Sequence, residues 1–282
     1  MRQCFNIGVA VMLAAGLSAC ATESRAPVGG SMSPLYGSTG PLKFDIIQED
    51  DATSFICLHY RGRATRQMWD KRVDNEFNHS VFLFDAYFTD DIRFEINVNP
   101  EFETMERATR ESFRYTKALG QLPTMLRRGI DRFGIHDGDE TASAGAGKIF
   151  VYRANAINRQ GYQHLEETLF HESVHVSLDP YYMYNQNWRA AQEADPGFVT
   201  RYGRDNYPRE DMAESSLLAY GILRYPGRIP EKEEARIRAI NPNRIAYFAT
   251  LLPVEGPIFD FPDTGPLSLE DAPEGCMTTV PV

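Results

Sequence analysis

The chain lacks a basic surplus: 29 Lys and Arg stand against 39 Asp and Glu, a net charge of −10. The acids are spread along the chain rather than blocked, so a nucleic-acid partner has no electrostatic footing. Long apolar runs are also missing. The longest, Phe5 to Leu17, is too short to span a bilayer as a helix. There is no internal repeat. Cysteine is sparse, with four residues, and histidine too, with six, none of them after His175. A histidine-based metal site would therefore have to complete its ligand set with a carboxylate. What is present is ordinary globular composition, 43% hydrophobic and 24% charged, enough for one large domain or two small ones.

The first residues read as a targeting segment. Arg2 supplies a positive start, the apolar run follows, and Leu17-Ser18-Ala19-Cys20 closes it. That tetrapeptide resembles a bacterial lipobox, which implies cleavage before Cys20 and lipidation of its thiol and new amino group. The alternative is a plain secretory signal cut near Ala19. Residues 1–19 are then a lipoprotein signal peptide, and Ser, Gly, Pro and Thr make residues 20–40 a flexible tether. Ala21, where inner-membrane lipoproteins commonly carry Asp, points by analogy to the outer membrane, facing the periplasm or the exterior. With Cys4 removed and Cys20 lipidated, Cys57 and Cys276 remain, and in an oxidising compartment they are expected to pair.

Short apolar stretches predict strands near 44–47, 54–58, 81–84, 93–98, 132–136 and 148–152. Helical periodicity predicts helices over about 101–119, 162–178, 188–194, 208–223 and 231–240, with an irregular Pro-rich tail. The order is that of an α+β fold. It divides into a β-rich segment with a helix at 41–120 and a second domain at 121–282.

His171-Glu172-Ser173-Val174-His175 carries the chemistry. On a helix, residues four apart share one face, so both histidines can reach one ion, and imidazole suits Zn²⁺. Glu172 is better aimed at a water than at the metal. Zinc lowers the pKa of a bound water to about 7, and Glu172 would take its proton as general base and pass it to the leaving amine. For the third ligand, Glu210-Asp211-Met212-Ala213-Glu214-Ser215 offers acids at 210, 211 and 214 near one helical face. Glu214 is preferred because small neighbours, Ala213 and Ser215, allow close helix approach. Asp211 could accept the free N–H of a ligand histidine, and Glu210 reads as an acid favouring the helix start. Trp188, Tyr181, Tyr182 and Tyr184 could line a cleft walled by 137–147 and 181–187.

A second helix reading E-D-x-A-E downstream of H-E-x-x-H resembles the glutamate-zincin metallopeptidases, nearest the branch of anthrax lethal factor and the Pro-Pro endopeptidases. The likeness covers roughly 128–225. It implies a zincin-like α+β domain with a mixed sheet and an active-site helix. It also implies a protein or peptide substrate, and an oxyanion-stabilising role for Tyr207, seven residues before Glu214. The thermolysin-like E-x-x-x-D pattern is absent, since Leu218 stands four after Glu214. Two other functions fit the same residues: a non-catalytic zinc-holding envelope lipoprotein that binds peptides, and a cell-wall amide hydrolase.

Overall fold

A computed structural model describes residues 30–281. The expected signal segment, with Cys4 and Cys20, lies outside the described residues. Among the described residues, no helix is long and apolar enough to cross a membrane.

Six strands form one mixed sheet in the order β1-β2-β3-β4-β6-β5. They are β1 (Phe55–Asp70), β2 (Asn75–Phe88), β3 (Arg93–Val98), β4 (Arg132–His136), β5 (Ser143–Gly145) and β6 (Lys148–Tyr152). The helices between and after them are α1 (Met105–Gln121), α2 (Thr124–Arg127), α3 (Arg153–Gly161), α4 (Leu165–Ser177) and α5 (Asp179–Tyr182). The rest are α6 (Gln186–Ala194), α7 (Arg201–Asp205), α8 (Asp211–Arg224), α9 (Glu231–Ile240) and α10 (Pro242–Leu251). The class is α+β, as the element order predicts.

Strand alternation explains the layering. Phe82, Phe84, Ala86 and Phe88 of β2 face the helices and join the main core, while Val81 and Leu83 point to the other face, against Met68 and Phe150. β3 pairs in parallel with β4. This pairing crosses the division expected at residue 120, and one core gathers Ile96 and Phe102 with Leu169 and Leu217. The 41–120 stretch is thus the outer half of a single sheet. β1 and β2 also run far longer than the short segments expected from sequence. Together they form a hairpin whose tip reaches the site described below.

Cys57 and Cys276 form a disulfide with Cα atoms 5.6 Å apart. Leu58 and Met277 exchange backbone hydrogen bonds of 2.9 and 2.7 Å, laying the tail along β1 and covering part of that exposed edge.

Residues 44–47 are not a strand, and residues 30–40 are not a loose tether. They run as a strap across α6, α7 and α8. Gly30 N–H donates to Asp195 O (2.9 Å), Leu35 N–H to Val199 O (3.0 Å), and the amides of Arg201 and Tyr202 donate to Tyr36 O and Gly37 O (both 2.8 Å).

Candidate metal centre

Helix α4 is seated by Leu165, Leu169, Phe170 and Val174, all buried in the main core. Ser177 fixes its far end, donating to Leu126 O at 2.7 Å. There Gly129 lets the preceding loop close in, since a Cβ on it would lie 2.4 Å from Val176 O. Helix α8 packs against α4 through the stacked rings of Phe170 and Tyr220, 5.1 Å apart. The two helices therefore present their polar residues to one point.

At that point His171 Nε2 and His175 Nε2 stand 3.3 Å apart. Glu210 Oε2 lies 3.4 Å from the first and 3.3 Å from the second. Three lone-pair atoms on two imidazoles and a carboxylate converge within 4.8 Å, a donor set suited to Zn²⁺. Glu210, at the entry to α8, is the carboxylate the fold brings into this cluster. Glu214, expected there from sequence, sits one turn deeper. Its oxygens accept Thr39 N–H (2.8 Å) and Thr39 Oγ1–H (3.0 Å), and its nearest approach to the histidines is 3.7 Å, to His171 Nδ1. The strap, invisible to helix-face reasoning, claims it.

Asp211 also departs from its expected role. Its Oδ2 accepts Gln192 Nε2 (2.6 Å) and Arg244 Nη2 (2.8 Å), and Arg244 reaches on to Asp195 at 2.8 Å in a fully buried network. That network locks the start of α8 to α10. The residue that orients a site histidine is Asp179, whose Oδ2 lies 2.7 Å from His175 Nδ1. Nothing in the sequence reading singled it out, although it stands four residues after His175 on the same face.

Burial opposes the His175 cation, but the Asp179 and Glu210 carboxylates more than offset it and push its pKa up to about 10. His171 is likewise raised by Glu210 against burial. For Glu210, burial is outweighed by the two histidines, and its pKa is lowered. In Glu214 burial prevails and raises it.

A cleft crosses the cluster. One half, about 490 Å³, is bounded by the hairpin (Trp69, Asp74, Glu76), by β5 and by the cluster residues. The other, about 300 Å³, lies between the strap and α3. His171, Glu172, Lys71, Ala142 and Tyr202 border both halves. The loop at 137–147 is a wall, as expected. Tyr181 and Tyr184 are instead exposed, and Trp188 is buried against Tyr247 and Phe248.

Tyr202 is the tyrosine of the cleft. Burial raises its pKa, and the charges of Glu210, Glu172 and Glu214 raise it further. It rides on α7, which is capped by Thr200 Oγ1 accepting Gly203 N–H at 3.0 Å and held by the strap. Tyr207, favoured from sequence, points its hydroxyl at Gln192 Oε1 (3.4 Å) and its ring edge at Phe198.

Behind the cluster, Glu167 ties α4 to the strap. Its fully buried carboxylate accepts the amides of Ile46 (2.7 Å) and Ile47 (2.9 Å), yet burial pushes its pKa from 4.5 up to about 8. Between those values the folded chain holds a proton that the unfolded chain has lost. The contribution to stability is therefore full below about pH 4.5 and declines as pH rises through 8, by up to about 1.4 kcal/mol per unit. Denaturant titrations of wild type and Glu167→Gln should show the variant gaining on wild type across that window. Parallel curves would refute the assignment.

Comparison with protein-family models, with curated proteins and with solved structures found no match to the chain.

Proposed function

We propose that this chain is a zinc-dependent peptidase of the cell envelope, with a zincin-like catalytic centre. The observation that carries this reading is the convergence of His171, His175 and Glu210 beside Glu172 in an open cleft. A fully enclosed, four-residue protein ligand set would instead suit a structural ion. When bound, zinc would acidify a water and polarise the scissile carbonyl.

The protein groups supply the rest. Glu172 borders the cleft beside the cluster and serves as general base, then as proton donor to the leaving amine. β5 is the terminal strand of the sheet, and its residues line the same cleft, so an extended peptide can pair with its open edge. Tyr202 takes the oxyanion-stabilising role that the family resemblance gave to Tyr207. The Cys57–Cys276 disulfide accords with an oxidising compartment, and a lipid on Cys20 would hold the domain at the membrane.

The test is stoichiometric zinc in the purified protein together with cleavage of an unfolded protein or peptide library. Purified protein that neither retains zinc nor cuts such substrates would end the proposal. The two tyrosines are separated by paired variants. Tyr202→Phe should lower kcat roughly 10²-fold, the scale of losing one oxyanion donor. Tyr207→Phe should have a far smaller effect, and the reverse order would restore Tyr207 to the role.

A further inference from the structure

We propose that the smaller half of the cleft is a subsite for a substrate carboxylate, recognised by Arg159 and Lys71. This rests on the peptidase reading of the adjacent cluster. The cavity of about 300 Å³ opens from His171 and Glu172 and is walled by Thr39, Lys71, Asn155, Arg159 and Thr168. It is bounded by the strap, the hairpin tip and α3, and it holds both charged and apolar surface.

Its two cations have no counter-ion among the described residues. Arg159 is half-buried on α3, and its guanidinium donates to the Gly40 carbonyl of the strap. Lys71, at the hairpin tip, rests its ammonium on the hydroxyl of Thr141. Both partners are neutral. Many arginines of this acidic chain are matched with carboxylates, as in Arg66–Glu95, Arg72–Asp70, Arg114–Glu111 and Arg228–Asp51. Arg159, like Arg63 and Arg224, meets only neutral acceptors and, unlike those two, borders the cleft. A half-buried guanidinium without an anion has lost hydration and gained no ion pair for it, so a bound carboxylate would be attracted strongly.

Two of the three acids that border the chamber accept hydrogen bonds from the strap. Glu214 accepts the Thr39 amide and hydroxyl, and one Glu167 oxygen accepts both strap amides. Glu172 stands at the boundary shared with the other half. The cationic donors of the chamber with no carboxylate partner are those of Arg159 and Lys71, beside the ring nitrogen His164 Nδ1, which has no hydrogen-bond partner among the described residues. The anion that Arg159 and Lys71 fit comes from the substrate. Its source is either an Asp or Glu side chain near the scissile bond or the free carboxylate of a peptide C-terminus.

The experiment measures binding of three short fluorescent peptides to the zinc-loaded Glu172→Gln protein. One carries an internal Glu and an amidated end, one replaces that Glu by Gln, and one is the Gln peptide with a free C-terminus. At least one carboxylate peptide should bind roughly tenfold more tightly than the neutral one, the scale of a charge-assisted pair. Whichever shows the gain identifies the source. Adding Lys71→Gln or Arg159→Gln should bring that ratio towards one, and Arg159→Lys should keep part of it. Lys71 is exposed and outside the core, so its variant keeps the test decisive even if Arg159→Gln loosens the strap. Equal affinity for all three peptides, no measurable binding, or a ratio that survives both substitutions would overturn the subsite. A preserved ratio with no cleavage of any peptide by wild type would instead remove the peptidase reading and leave the subsite standing.

Discussion

Glu172→Gln should abolish peptide hydrolysis while leaving zinc in place, with a fall in kcat on the order of 10³ or more. General acid–base catalysis by a positioned side chain contributes roughly 10²- to 10⁴-fold, and this residue would act twice, on the attacking water and on the leaving amine. The substitution keeps shape and hydrogen-bonding capacity in a buried position, so the fold should not suffer. The readouts are turnover on a peptide library, zinc by elemental analysis, and thermal stability. A variant as active as wild type would mean that the cleft does not hydrolyse peptides by this route. A variant inactive only because it has lost zinc would show that Glu172 serves the metal instead.

The second large effect separates the two acids at the start of α8. Glu210→Ala should weaken zinc by more than the roughly 10–100-fold typical of an outer partner, whereas Glu214→Ala should fall within that range. The distances argue for this order: Glu210 Oε2 lies 3.4 and 3.3 Å from the two histidine Nε2 atoms, while Glu214 faces Thr39. Metal that binds only the folded state stabilises it by about 4 kcal/mol at a thousandfold excess over Kd. The zinc-dependent rise in Tm should therefore vanish in Glu210→Ala and persist, reduced, in Glu214→Ala. The opposite order would return Glu214 to the ligand set.

That contest shows where the sequence stops being legible. The helical pair His171 and His175 could be read because their geometry is local: four residues on one helix fix a common face. Helices α4 and α9 emerged close to their expected bounds for the same reason. The choice among residues 210, 211 and 214 was not local. Asp211 is taken by Arg244, 33 residues downstream, and Glu214 by Thr39, 175 residues upstream. Neither partner has any spacing signature. Residues 210 and 214 also differ by only one helical turn, so the pattern E-D-x-A-E says that an acid meets the histidines without saying which.

The sheet tells a similar story. The 16 residues of β1 include Arg61-Gly62-Arg63 and Arg66, which break the apolar alternation. What holds them is pairing with β2, through a register shift near Gly62, and ion pairs from Arg61 to Asp85 and Arg66 to Glu95. Strand length here is decided across the ladder and not along the chain. Tyr202 was missed because a tyrosine in a five-residue helix carries no pattern. Its position depends on the strap, whose Gly, Ser and Pro content reads as linker.

The supports of this site's chemistry start well before Phe55, where the first strand among the described residues begins. Four hydrogen bonds from Tyr36, Gly37 and Thr39 hold the backbone of Tyr202's helix and the carboxylate of Glu214. A truncation that starts the chain after Gly40 would look harmless by secondary structure, since every helix and strand of the described residues would survive it. It would nonetheless remove one wall of the cleft and two of the supports of its polar residues. Comparing such shortened chains, residue by residue from 30 to 47, would map how much of the site is borrowed from outside the folded layers.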